Sequence, residues 1–133
     1  MIKHIWTAVL VMGFSGIVAE ILLLRELLIV FSGNELCIGI ILANWLILEA
    51  LGCFSIGRII EKFKYTLETY AVITVLFSLS LPPSIFLTRV LKTVIGVSIG
   101  ENIGLIPMFC SSFLILLPVS ILHGALFPLC CRI

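Results

Sequence analysis

The chain has 133 residues, 62% of them hydrophobic and only 11% charged, with a formal net charge of +1. A soluble domain is about 45–50% apolar and about 25% charged. This much apolar surface cannot be buried inside so short a chain, and lipid must cover the rest. No Lys/Arg cluster is dense enough to bind nucleic acid. All seven acids are Glu, which removes the Asp of a Ser-His-Asp triad and the usual acidic ligands of Mg²⁺.

The first apolar segment covers about 5–31. "MIKH" before it resembles a signal-peptide n-region, but the apolar run continues through "ILLL", which favours a retained span. At 1.5 Å per residue it is roughly 40 Å long, so it tilts or emerges from the hydrocarbon at its end. It holds Glu20, Arg25 and Glu26, and a charge near the bilayer centre costs about 2.5–3.5 kcal/mol on insertion scales. Gly13, Gly16 and Glu20 are spaced to share one side of the helix, so Glu20 is expected to face a neighbouring helix. Arg25 lies about 140° around and about 7.5 Å along the helix from Glu20, too far for an intrahelical bridge.

"SGNE" (32–35) reads as a tight turn. The second span covers about 36–56 and contains Asn44 and a single charge, Glu49. Ile38, Leu42, Trp45, Glu49, Gly52, Cys53 and Ile56 cluster on one of its faces. With a short turn between them, the first two spans are expected to form a tight antiparallel hairpin with Glu20 and Glu49 at comparable depth. A basic loop follows at 57–68, with Arg58, Lys62 and Lys64.

The third span begins near Thr69 and meets Pro82 and Pro83, which remove two backbone donors. Two alternatives stand open. Either the span ends there, and Thr88, Arg89, Lys92 and Thr93 form the polar face of an interfacial helix within an outer segment 84–104. Or it continues to about Leu87. "GVSIGENIG" (96–104) reads as a loop in preference to a GxxxG packing motif. The fourth span covers about 105–130, with bends expected at Pro118 and Gly124 and with His123 inside it.

The expected fold is thus an all-α, polytopic transmembrane bundle of four spans. With the N-terminus inside, Lys3, Arg58, Lys62, Lys64 and Arg132 fall on the inner side, against Arg89, Lys92 and Arg25 outside, which favours N-in and C-in. The five cysteines (Cys37, Cys53, Cys110, Cys130 and Cys131) form no CxxC pair and read as small buried hydrophobes.

The candidate polar site is Glu20, Glu49, Arg25, Glu26, Asn44 and His123. In one reading Glu20 and Glu49, with Asn44, line a cavity for a cation, a proton or an amine. In the other, Glu20 or Glu49 pairs with Arg25 or is protonated, and only fixes helix register. His123 either relays protons or bonds a carbonyl of a neighbouring helix, and it reads as distant from any acid pair. No catalytic constellation, metal-ligand spacing or cofactor motif is present in the sequence.

Two stretches carry a resemblance. "GFSGIVAEILLLRELLIVFSGNELCIGIILANWLILEALG" (13–52) resembles the opening spans of the spermidine synthase-like multi-pass membrane proteins of bacteria and archaea. "GENIGLIPMFCSSFLILLPVSILHGALFPLCCR" (100–132), with its Pro-x4-His-Gly-Ala-x-Phe-Pro segment, resembles a later span of that family. The resemblance implies a prokaryotic cytoplasmic-membrane module. In longer members it precedes a soluble aminopropyltransferase-like domain with a Gly-rich nucleotide loop and acidic residues including Asp. This chain carries neither, so no enzymatic residue transfers to it. What transfers is the membrane part with Glu20, Arg25, Glu26 and Glu49. The chain ends just after a span, which suggests a fragment, a split gene or one piece of a longer protein.

Three functions follow as expectations: a non-catalytic module anchoring or serving a polyamine-related activity, part of a cation or polyamine transporter, or a structural subunit. The expected partners are the lipid bilayer, further transmembrane segments, a soluble aminopropyltransferase-like domain or a second copy of the chain. No cofactor or nucleic acid is expected.

Overall fold

The computed structural model describes residues 2–60, 66–95 and 104–132, all but the turn between the first two helices and Gly104 in four α-helices. These are α1 (Ile2–Val30), α2 (Glu35–Ile60), α3 (Thr66–Ile95) and α4 (Leu105–Arg132). Each is long and apolar enough to cross a bilayer, which makes the chain an all-α bundle of the multi-pass membrane class. The loop read at 96–103, most of the basic loop, and the side chains of Lys3 and Lys92 lie outside the described residues.

The α1–α2 turn is built by local chemistry. Ser32 takes φ 58°, a left-handed conformation, and the Gly33 N–H reaches back to the Leu28 carbonyl at 3.0 Å. That closes α1 as a Schellman-type cap. The Asn34 side chain accepts the Cys37 N–H at 2.9 Å and caps the start of α2.

The expected α1–α2 hairpin is not the tightest packing. The closest approach is between α2 and α4, which run parallel. Gly52 lies against the α4 backbone at Ile121, and Gly124 lies against the α2 backbone at Glu49. A Cβ at either position would collide with main-chain atoms that cannot yield. Small residues let helix backbones meet, and in lipid such packing, not water release, drives association. The α1–α2 contact has no such reciprocal glycine pair. On α1, Gly16 takes a side chain of α4 and Gly13 meets nothing within 4 Å. The expected small face of α1 is therefore half right: Gly16 is buried and Gly13 faces outward.

The buried face of α2 is also rotated from the expected one. Cys37, Ile41, Asn44, Trp45, Leu48 and Gly52 point inward, whereas Ile38 is exposed and Glu49 sits at the edge. A neutral amide such as Asn44 cannot be left facing lipid without losing its hydrogen bonds, and burying it turns the helix.

Helix α3 passes through Pro82 and Pro83 without a break and continues to Ile95, so no separate interfacial helix forms over 84–95. A ladder of hydroxyls accompanies the prolines: Ser80 donates to the Phe77 carbonyl, Ser84 to Ser80 and Thr88 to Ser84, at 2.7–2.9 Å. Such back-bonding keeps polar side chains satisfied inside a helix. The two sides read at 84–97 do not separate as expected: of the polar side Thr88 is buried, but Arg89 and Thr93 are exposed together with Leu87, Val90 and Val94. Thr88 and Ser84 are buried, while Phe86, Leu87, Val90 and Val94 face outward. That is the order a lipid solvent requires. Likewise α4 continues through Pro118 and Pro128 as one helix.

The cysteines divide. Cys37 and Cys130 are buried, Cys53 is half-buried, and Cys110 and Cys131 face outward, all as free thiols. The expectation that all five are buried fails for the last two.

Gly124→Ala is expected to lower stability by about 1–3 kcal/mol, the usual cost of overpacking. Gly13→Ala should be neutral or add up to about 1 kcal/mol through helix propensity. Reversible unfolding in mixed micelles measures both.

Candidate functional site

The site is built where all four helices meet, around His123 of α4. Its Nδ1 lies 2.6 Å from Oε1 of Glu49 on α2. Its Nε2 lies 3.2 Å from the backbone carbonyl of Met12 on α1. The ring is flanked by Trp45 of α2 and Phe77 of α3, with centroids 6.2 and 5.4 Å away. His123 is 7% exposed.

Gly16 makes this geometry possible. It stands one helical turn after Met12, and a Cβ there would run into the imidazole. Its missing side chain opens the path to the Met12 carbonyl, which also accepts from Ser15 Oγ at 3.0 Å. Sequence spacing places Gly16 on an interface; the structure shows that the interface holds a ring.

Proton counting follows from the partners. A carbonyl only accepts, so Nε2 must carry a hydrogen. Nδ1 then either donates to the Glu49 carboxylate or accepts from a protonated Glu49. Both arrangements hold the same number of protons and leave the pair net neutral. The reading of His123 as distant from any acid pair is thus overturned. Glu49 and His123 are 74 residues apart in sequence, and no local pattern links them. The signal that could have found the pair is depth, since both lie past the middle of parallel spans entered from the same side.

Glu20 lies within electrostatic reach of both Glu49 and His123, in keeping with the comparable depth expected of the two acids. Glu20 is half-buried and its carboxyl makes no hydrogen bond to any described residue. Glu49 opens sideways onto a groove lined by Leu46, Ala50, Cys53, Gly124 and Phe127. A carboxyl with no fixed donor, beside a half-open second one, can accept a proton or face a cation.

The other candidates fall elsewhere. Arg25 is exposed beside Ile21, Leu24, Leu28 and Ile29. Neither ion pair among the described residues involves it, so the expected pairing with Glu20 or Glu49 is absent. Glu26 pairs instead with Arg89 of α3, through two contacts of 3.2 and 3.1 Å. This fork–fork bridge joins α1 to α3, but Arg89 is 69% exposed.

Asn44 is fully buried and is not part of the acid level. Its Nδ2 donates to the Phe109 carbonyl at 3.1 Å and to Ser112 Oγ at 2.8 Å, tying α2 to α4. Its Oδ1 has no hydrogen-bond partner among the described residues, and neither has the buried Ser120 hydroxyl. Among the described residues no group of three or more His, Cys or Glu side chains comes together as a metal site.

Fold and site together define a four-helix membrane bundle with an ionisable centre of two glutamates and a histidine. No protein-family model, curated protein or solved structure matches the chain.

Asn44→Leu should cost about 0.6 and at most about 1.7 kcal/mol, the range for interhelical hydrogen bonds in bilayers. It also removes the unpartnered Oδ1, which offsets part of the loss. His123→Leu breaks bonds to two helices and leaves Glu49 facing apolar surroundings, and should cost at least about 1 kcal/mol more. Unfolding in mixed micelles ranks the two.

Proposed function

We propose that this chain is the membrane-embedded module of a spermidine synthase-like protein, non-catalytic by itself, which anchors or serves a polyamine-related activity. The module sits in a prokaryotic cytoplasmic membrane with both termini inside. The observation that supports this reading is the packing of the two stretches that carry the resemblance. Gly16 and Glu49 come from 13–52 and His123 from 100–132. They meet in one hydrogen-bonded centre. Residues far apart in sequence thereby form a single unit at the middle of the bundle. The anchoring reading predicts co-purification with an aminopropyltransferase-like soluble partner from native membranes. Purification with no such partner counts against it.

A second reading is favoured by Glu20, whose carboxyl has no hydrogen-bond partner among the described residues and stands beside Glu49. Two acids and one histidine at one depth suit the handling of a cation or an amine. As part of a transporter, the chain should support uptake of spermidine or putrescine into proteoliposomes. Glu20→Gln should then lower uptake at least about tenfold while insertion is unchanged, the effect of about 1.4 kcal/mol. Uptake that is absent in the wild type, or equal in the variant, removes this reading.

A further inference from the structure

We propose that the Glu49–His123 pair is a proton-operated latch that holds the N-terminal half of α1 against the bundle. The idea is independent of what the module anchors or carries.

The first observation is how unevenly α1 is attached. Its C-terminal half places Ala19, Leu23 and Leu27 in the core. In its N-terminal half no residue from Ile5 to Ser15 is buried. Between this half and the end of α4 lies a cavity of about 430 Å³, lined by Ile5, Val9, Met12, Gly13, Phe127, Cys130 and Cys131. Its ties to the bundle include two side-chain bonds to main-chain carbonyls: Tyr70 to Ala8 at 3.1 Å and His123 to Met12 at 3.2 Å.

The second observation is that both ring nitrogens of His123 face acceptors. The ionisable groups acting on the ring are Glu49 of α2 and Glu20 of α1. Among the described residues α3 offers it Phe77, an aromatic ring. When the pair holds its shared proton, both bonds exist together. When that proton leaves to bulk water, Glu49 is a carboxylate and the imidazole keeps one hydrogen. It can then serve Glu49 through Nδ1 or Met12 through Nε2, but not both. The carboxylate is the stronger acceptor, so the hydrogen goes to Nδ1. An Nε2 lone pair then faces the Met12 carbonyl, and α1 loses that tie. Docking is therefore complete at low pH and weakens as pH rises through the titration of the pair.

Glu49→Gln makes the opposite demand. Its amide can donate to Nδ1 while Nε2–H still serves Met12, so a neutral imidazole keeps both bonds. The variant should hold α1 at every pH.

Cys130 reports the state, because it is buried in the cavity beneath α1. A full-length chain with Cys130 as its single thiol (C37A, C53S, C110S, C131S) is labelled with a maleimide in nanodiscs from about pH 6 to about pH 10, a window covering imidazole titration. Each rate is normalised to the same thiol in SDS-unfolded protein at that pH. The wild-type ratio should rise roughly three- to fifteenfold, the change one interhelical hydrogen bond carries. Glu49→Gln should stay slow and flat. A flat wild-type ratio, or a Glu49→Gln profile parallel to the wild type, overturns the latch. If Glu49→Gln does not fold, His123→Gln takes its place: its amide donates to the Met12 carbonyl with no titratable ring, so its labelling ratio should stay flat, and a rise with pH that survives in it also overturns the proposal.

Discussion

Lipid gives helices no hydrophobic reason to leave it for one another, so a membrane bundle is held by close packing and by hydrogen bonds that would otherwise go unmade. In this chain both requirements converge on His123. Its two nitrogens reach α1 and α2, its faces meet Trp45 and Phe77, and Gly124 next to it lets α2 and α4 touch backbone to backbone. Gly16 and Gly52 complete the arrangement from the opposite helices. The ring cannot sit there unless Gly16 lacks a side chain. Asn44 and Ser112 fix α2 against α4 at a second level, and Glu26 with Arg89 joins α1 to α3 at a third.

The same solvent logic explains the surface. Large apolar side chains such as Phe14, Leu46, Phe86 and Leu114 point outward, while Asn44, Ser84, Thr88, Ser112 and Ser120 are buried. In water this would be an aggregating chain; against hydrocarbon it is the stable order. The acid level is then a costly feature surrounded by an inexpensive one. Glu20 and Glu49 keep some exposure, and the pair with His123 is net neutral. This lets an ionisable centre persist in the middle of four apolar helices.

Much of the fold was legible because length and hydropathy are sufficient for spans. The 5–31 and 36–56 segments stand out with no help from packing, and the Ser32–Asn34 turn follows from its residue types. Counting back from that turn also brings Glu20 and Glu49 to one level. What the sequence left hidden are contacts between segments distant along the chain. Glu49 and His123 share no local pattern. Gly16, Gly52 and Gly124 look the same on paper as Gly13, which packs against nothing. A helical wheel over 84–97 puts Thr88 on a water-facing side, whereas in lipid Thr88 turns inward and Leu87, Val90 and Val94 turn outward. The prolines of α3 were weighed without the hydroxyl ladder of Ser80, Ser84 and Thr88 that accompanies them.

Gly16 leaves room for the His123 ring, whose atoms are the nearest to the place its side chain would take. A double-mutant cycle of Gly16→Ala and His123→Ala, read by unfolding in mixed micelles, tests this directly. Gly16→Ala should cost about 1–3 kcal/mol in the wild type, through displacement of the ring. In the His123→Ala background it should cost close to nothing, giving a coupling energy as large as the single-mutant loss. An equal cost in both backgrounds would contradict the account.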